Sequence, residues 1–193
     1  MLQRLYDRTM ALAAHRRAIW ALAGISFVES SVFPIPPDVL LVPMVLADRR
    51  AVVKIAAVCT AASVLGALLG YAIGYGLFEA VGQPLLEFYG YAGEFADFRD
   101  VYNEWGGWIV AGAGLTPFPY KVITIASGVT RLDLATFVVA SIVSRGLRFG
   151  LEAAALWYFG PPVRRFVERN LGLAATVFFV SLFGGFLVVR YVF

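Results

Sequence analysis

The stretch Phe27-Val-Glu-Ser-Ser-Val-Phe-Pro-Ile-Pro-Pro-Asp38 is flanked by two apolar runs, residues 18–28 and 39–47. Together they are long enough to cross a membrane once, yet the centre holds the carboxylates Glu29 and Asp38 and the prolines Pro34, Pro36 and Pro37. Proline has no backbone donor and pushes the preceding residue out of the helical region, so one continuous helix through this centre is disfavoured. Broken backbone at membrane depth is tolerated only inside protein or beside a wet cavity, and an ionisable residue there points to function. Residues 18–47 are therefore expected to form a re-entrant helical hairpin, which enters the membrane and turns back.

Composition sets the class. Of 193 residues, 60% are hydrophobic and only 15% charged, where a soluble domain averages about 25% charged. With mean hydropathy at +0.77 and apolar runs of crossing length, the chain reads as an all-α, polytopic integral membrane protein of one domain. The net charge of +3 comes mainly from arginines beside apolar segments. Membrane orientation accounts for that pattern without nucleic acid. Residues Met1–Arg17 lack the apolar core of a cleavable signal, and Cys59, the single cysteine, can form no internal disulfide.

Five segments follow. Residues 1–17 are basic and partly amphipathic, as for a helix on a membrane surface. Residues 18–80 hold the first hairpin and a crossing helix at 55–78, with Gly66, Gly70 and Gly74 on one face for close packing inside one chain or between two copies. Residues 81–106 are acidic and aromatic, an amphipathic connector at the outer interface. Residues 107–160 repeat the pattern: an apolar run broken by Thr116-Pro117-Phe118-Pro119-Tyr120-Lys121, then a crossing helix over 134–159 that Gly160-Pro161-Pro162 should end. Residues 161–193 supply a basic loop and a last crossing over 171–189, for about three transmembrane helices in all. The Lys/Arg excess at both ends of the first hairpin puts those ends and the N-terminus in the cytoplasm.

Placing Pro117 on Pro34, an offset of 83 residues (117 minus 34), lays Pro119 on Pro36 and Lys121 on Asp38. Each broken run is followed by one crossing helix, so the second unit starts from the opposite side. Such an inverted repeat would bring two hairpins together near the midplane.

Glu29-Ser-Ser with Phe33-Pro-Ile-Pro-Pro-Asp38, the Gly66–Gly74 run, the Pro117–Gly128 segment and Ser144-Arg-Gly-Leu-Arg-Phe149 resemble the DedA membrane protein family, also called the VTT or SNARE-associated domain family, and most nearly its YqaA-like branch. The resemblance spans roughly residues 18–160. It implies two re-entrant hairpins and movement of lipids between leaflets; bacterial members are linked to recycling undecaprenyl phosphate and to the proton motive force, and eukaryotic relatives act as scramblases. Its functional acids map to Glu29 and Asp38. Many members carry two arginines around the second-hairpin proline, where this chain has Gly114 and Tyr120; Lys121 is one residue away and is a candidate substitute.

The residues themselves sort by chemistry. Glu29 and Asp38, in a low-dielectric site, are disfavoured in their charged forms and are candidates for proton coupling. Their structural alternatives are bonding to orphan backbone groups for Glu29 and helix N-capping for Asp38. Lys121 could meet a lipid phosphate or snorkel to the interface. Arg145, Arg148 and Glu152 lie on one helix face. If Arg148 pairs with Glu152, Arg145 is left to find Glu29, Asp38 or an anionic ligand, for which its planar fork is suited. Lys121, Arg145 and Arg148 are thus candidate substrate-binding residues, and Pro34, Pro36, Pro37, Pro117 and Pro119 the structural breaks.

These groups suit a transporter or flippase for a phosphate-bearing lipid, with membrane lipids and protons as partners and no cofactor. A proton-coupled carrier of a small soluble solute would use the same constellation. An intramembrane enzyme is disfavoured, since the chain has no membrane histidine, Gly-x-Ser-Gly nucleophile box, paired metal-ligand cluster or Gly-rich phosphate loop.

Overall fold

The computed structural model describes residues 17–32, 36–116 and 118–169, and every regular element among them is helical. In chain order these are α1 (Ala18–Ser31), α2 (Asp38–Ala47), a short 3₁₀ turn (Arg49–Ala51), α3 (Val52–Leu77), a wide turn (Phe78–Gly82), α4 (Gln83–Tyr89), α5 (Ala92–Leu115), α6 (Tyr120–Val129) and α7 (Leu134–Arg169). The expected surface helix over residues 1–17 and the last crossing over 171–189 lie outside the described residues, apart from Arg17; so do Pro34 and Pro117.

The breaks have local causes. At the end of α1 the Ser31 hydroxyl donates to the carbonyls of Phe27 and Val28. Helix α2 starts directly after Pro36-Pro37, where a missing N–H leaves no hydrogen bond unmade. Gly90, at φ 77°, closes α4 in the left-handed conformation open to glycine. Asp133 starts α7, its carboxylate accepting the Thr136 N–H and hydroxyl at 2.8 Å each.

Two helical stretches are long and apolar enough to cross a membrane, Arg49–Tyr89 and Leu134–Gly160. Two boundaries differ from expectation. The boundary between connector and second unit at residue 107 falls inside α5, which is continuous from Ala92 to Leu115. Its Gly106 marks close packing: a Cβ there would collide with the Leu132 side chain. Helix α7 also continues through Pro161-Pro162 to Arg169. Pro161 cannot donate to the Trp157 carbonyl four residues earlier, and Arg49 Nη2 donates to that carbonyl instead. The Arg49 guanidinium also lies 5.5 Å from the Trp157 ring centre. A cation from a distant turn thus satisfies a group that proline leaves open.

The two units match as elements. Helices α2 and α6 have ten residues each, and the 83-residue offset carries the start of α2 to within one residue of the start of α6. Packing follows the same exchange. Helix α1 lies mainly on α3 and α5 on α7, the long helix of its own unit, while α2 lies mainly on α7 and α6 on α3, the long helix of the other unit. The glycine face of α3 makes this approach possible within one chain. A Cβ at Gly66 would overlap the Phe27 carbonyl of α1, and one at Gly74 the Ile125 carbonyl of α6.

Two apolar clusters result. One joins Leu22, Leu41, Val45, Cys59 and Phe149. The other joins Ala67, Tyr102, Val110, Tyr120 and Phe137. Between Cys59 and Ala67 on α3 sits Ser63, and between Phe149 and Phe137 on α7 sits Arg145. The polar site occupies that seam.

Candidate functional site

Arg145 is the largest fully buried side chain of the described residues. Removing an arginine from water is costly unless its donors and charge are met. Arg145 Nη2 donates to Glu29 Oε2 at 2.7 Å, and Nε donates to Ser63 Oγ at 2.7 Å. The Tyr120 and Phe149 rings also lie against the guanidinium, with centres 4.8 and 4.6 Å away.

Since arginine only donates, the direction of the network is set. Ser63, having accepted from Arg145, can give its hydroxyl proton to Ser30 Oγ at 2.7 Å, and Ser30 donates to Glu29 Oε2 at 3.1 Å. The ring closes through four side chains on α1, α3 and α7. One group is left over: Arg145 Nη1 is buried with no hydrogen-bond partner. Buried donors are rarely left unmet, and a planar N–H group of this kind suits an anionic oxygen.

A second ion pair lies one helical turn further along α7. Arg148 Nη2 donates to Asp38 Oδ2 at 3.1 Å, with about a third of the Asp38 side chain exposed. Arg148 thus reaches across to α2 in place of the expected pairing with Glu152 along its own helix. Asp38 is the first residue of α2; its Oδ2 accepts from the arginine and its Oδ1 from no donor among the described residues. Asp38 Oδ1 is buried, and the Glu152 carboxyl is its close neighbour.

Lys121 stands apart from this group. It lies in the first turn of α6, half-buried, with no ion pair from its ammonium among the described residues. Its backbone is nearer the site than its charge. Thr124 Oγ1 donates to the carbonyls of Lys121 and Ser30, at 2.9 and 3.1 Å, which ties the start of α6 to the end of α1. The two interrupted segments thus meet beside Gly70, whose missing side chain leaves room for Thr124. Pro36, Pro37 and Pro119 flank these helix starts.

Position 120, where the resemblance leads one to expect an arginine, holds Tyr120. Its ring faces Arg145 and its hydroxyl donates to Ser141 at 2.7 Å. Gly114, the other such position, packs against Ser144 with no space for a side chain. The buried cation of this region therefore comes from α7. Sequence reasoning did not pick out Ser63, Tyr120 or Phe149 as partners of Arg145, nor Ser30 as the link from Ser63 to Glu29. The one available signal was Ser63, a polar residue one turn before Gly66 on the close-packing face. Among the described residues no group of three metal-ligating side chains converges.

Residues 35–159 match the family model described as the VTT domain. That range includes Asp38, Lys121, Arg145, Arg148 and Glu152, and Glu29 precedes it. An uncharacterised protein of Haemophilus influenzae is 39% identical over 168 residues, covering 85% of this chain and 87% of its own length. An uncharacterised protein of Histophilus somni matches with the same identity and coverage. No solved structure matches the chain. The chain belongs to the VTT-domain, or DedA, family of membrane-associated proteins.

Proposed function

We propose that this protein is a membrane transporter of the flippase type that moves a phosphate-bearing lipid, undecaprenyl phosphate or a phospholipid, between leaflets, coupled to protons. In this reading the units around Pro34–Pro37 and Pro117–Pro119 are re-entrant hairpins of an inverted repeat, and the chain is a YqaA-like member in a bacterial cytoplasmic membrane with its N-terminus inside. The observation that supports it best is Arg145 Nη1, a buried donor with no partner, held where two interrupted helical segments meet. Such a group is costly to keep in a membrane unless an anion visits it. Arg148 and Lys121 are the further phosphate contacts, and Glu29 and Asp38 the proton-coupling acids, which take a proton when substrate replaces them at the arginines. An apolar groove of about 980 Å³ between α3 and α7, lined by Ala57, Thr60, Ala61, Ile142, Gly146 and Trp157 among others, fits the hydrocarbon part of a lipid.

The same acid–base group would serve a proton-coupled carrier of a small soluble anion, and competition separates the two. In sealed proteoliposomes with a headgroup-labelled anionic lipid, unlabelled anionic lipid should suppress translocation while soluble phosphate esters leave it unchanged. Transport of the soluble esters without lipid movement would replace the flippase reading.

A further inference from the structure

The two ion pairs and Glu152 form one cluster whose charges do not balance. Glu29, Asp38 and Glu152 are three carboxyls, and Arg145 and Arg148 are two guanidiniums. Fully ionised, the cluster would carry one net negative charge, spread over α1, α2 and the crossing-length helix α7. An uncompensated charge there is strongly disfavoured. One proton brings the sum to zero.

Geometry indicates where that proton resides. Glu29 is held by Arg145 Nη2 and by the Ser30 hydroxyl, two donors to one oxygen. Asp38 Oδ2 is held by Arg148. Glu152 has no ion pair among the described residues, and it faces Asp38, whose Oδ1 is buried and lacks a donor. Two ionised carboxylates cannot bond to each other, but a carboxylic acid can donate to a carboxylate.

We propose that Glu152 carries the proton and donates it to Asp38 Oδ1, making this acid–carboxylate pair the proton-exchange site of the protein. The groups facing it are Asp38 from α2, Cys59 from α3, and Arg148 and Arg145 from α7, with Glu29 of α1 behind Arg145. Loss of the proton sets two negative charges side by side and weakens the contact of Asp38 with α7. Because α2 packs chiefly on α7, the proton controls how firmly α2 is held. Proton binding here is independent of any lipid; its coupling to substrate rests on the transport reading above.

The test is infrared difference spectroscopy on the full-length protein in detergent and in liposomes, with no substrate present. At neutral pH the wild type should show the C=O stretch of one buried protonated carboxyl, shifted by ¹³C-glutamate labelling and unmoved by ¹³C-aspartate. Alkaline titration should remove it. Glu152→Gln should abolish the band, and so should Asp38→Asn, which leaves Glu152 ionised opposite Arg148. Absence of the band in the wild type overturns the proposal with no variant needed. A band that persists in folded Glu152→Gln, or that follows aspartate labelling, also overturns it. A protein that shows the band yet moves no lipid keeps this site and loses the flippase.

Discussion

Arg145 and Glu29 are 116 positions apart and meet at 2.7 Å, with no part of the arginine exposed. The contact joins α7 to the last turn of α1, just before that helix ends at Ser31. A fixed charge pair at that point orients the break, and each partner becomes a liability without the other. Arg145→Ala should therefore destabilise the protein by about 3–5 kcal/mol, the usual result of leaving a buried charge unpaired. The double variant Glu29→Gln with Arg145→Met should recover a large part of that loss. Thermal unfolding in detergent for the two single variants and the double variant measures the coupling; additive losses would show that the pair does not act as a unit.

Close approach of backbones at α3 gives a sharper contrast within one helix. Gly74 has the Ile125 carbonyl where a side chain would be, while Gly76 has open space. Gly74→Leu should cost at least the 1–3 kcal/mol or so typical of overpacking, because the obstacle is backbone and cannot rotate away. Gly76→Ala should be neutral or stabilising by up to about 1 kcal/mol, since alanine is the better helix former. Unfolding temperatures of the two variants should move in opposite directions or differ widely.

Arg49 stands in for the hydrogen bond that Pro161 cannot make. Arg49→Ala should leave the Trp157 carbonyl without its donor and destabilise the end of α7 by about 0.5–1.5 kcal/mol, the net worth of an exposed hydrogen bond. Arg50→Ala, one residue along, should have little effect. Hydrogen exchange across residues 157–169 should rise in the first variant and not in the second.

The turn before α7 carries a pH dependence outside the two stretches long and apolar enough to cross a membrane. The Thr136 N–H and hydroxyl hold the Asp133 carboxyl below its ordinary value. A lowered folded-state value means that this contribution to stability is complete above the unfolded value and is lost as pH falls through the folded one. Asp133→Asn, which keeps an acceptor for the cap, should flatten the acid limb of the unfolding temperature against pH without changing its level near neutrality.

How far the sequence carried the structure depends on the physics of each feature. The interruptions at Pro34–Pro37 and Pro117–Pro119 were legible because proline acts locally, and helices stop and start around both. Proline at 161 acts locally too, but its outcome was decided by Arg49, over a hundred residues away in the chain. The same limit applies at the site. Charges of both signs in apolar runs could be picked out one by one, but pairing depends on which helices pack. Arg148 within reach of Glu152 on its own helix was the local expectation, and the packing of α2 on α7 gives it Asp38. The expected boundary at residue 107 lies where an acidic, aromatic stretch gives way to an apolar one, but a change of composition along one helix need not break it, and α5 runs through with Gly106 packed against Leu132.

Whether the buried charges at the interrupted helices handle an anionic lipid is decided by translocation in sealed proteoliposomes. A headgroup-labelled anionic lipid would be followed in the wild type and in Glu29→Gln, Arg145→Ala and Lys121→Ala, each confirmed as folded, at two values of pH. The account predicts that the wild type moves lipid, that Arg145→Ala abolishes and Lys121→Ala weakens movement, and that Glu29→Gln leaves Arg145 without its counter-charge and halts turnover. Variants as active as the wild type would reduce these charges to a structural role, and a folded wild type no better than empty liposomes would contradict the flippase reading.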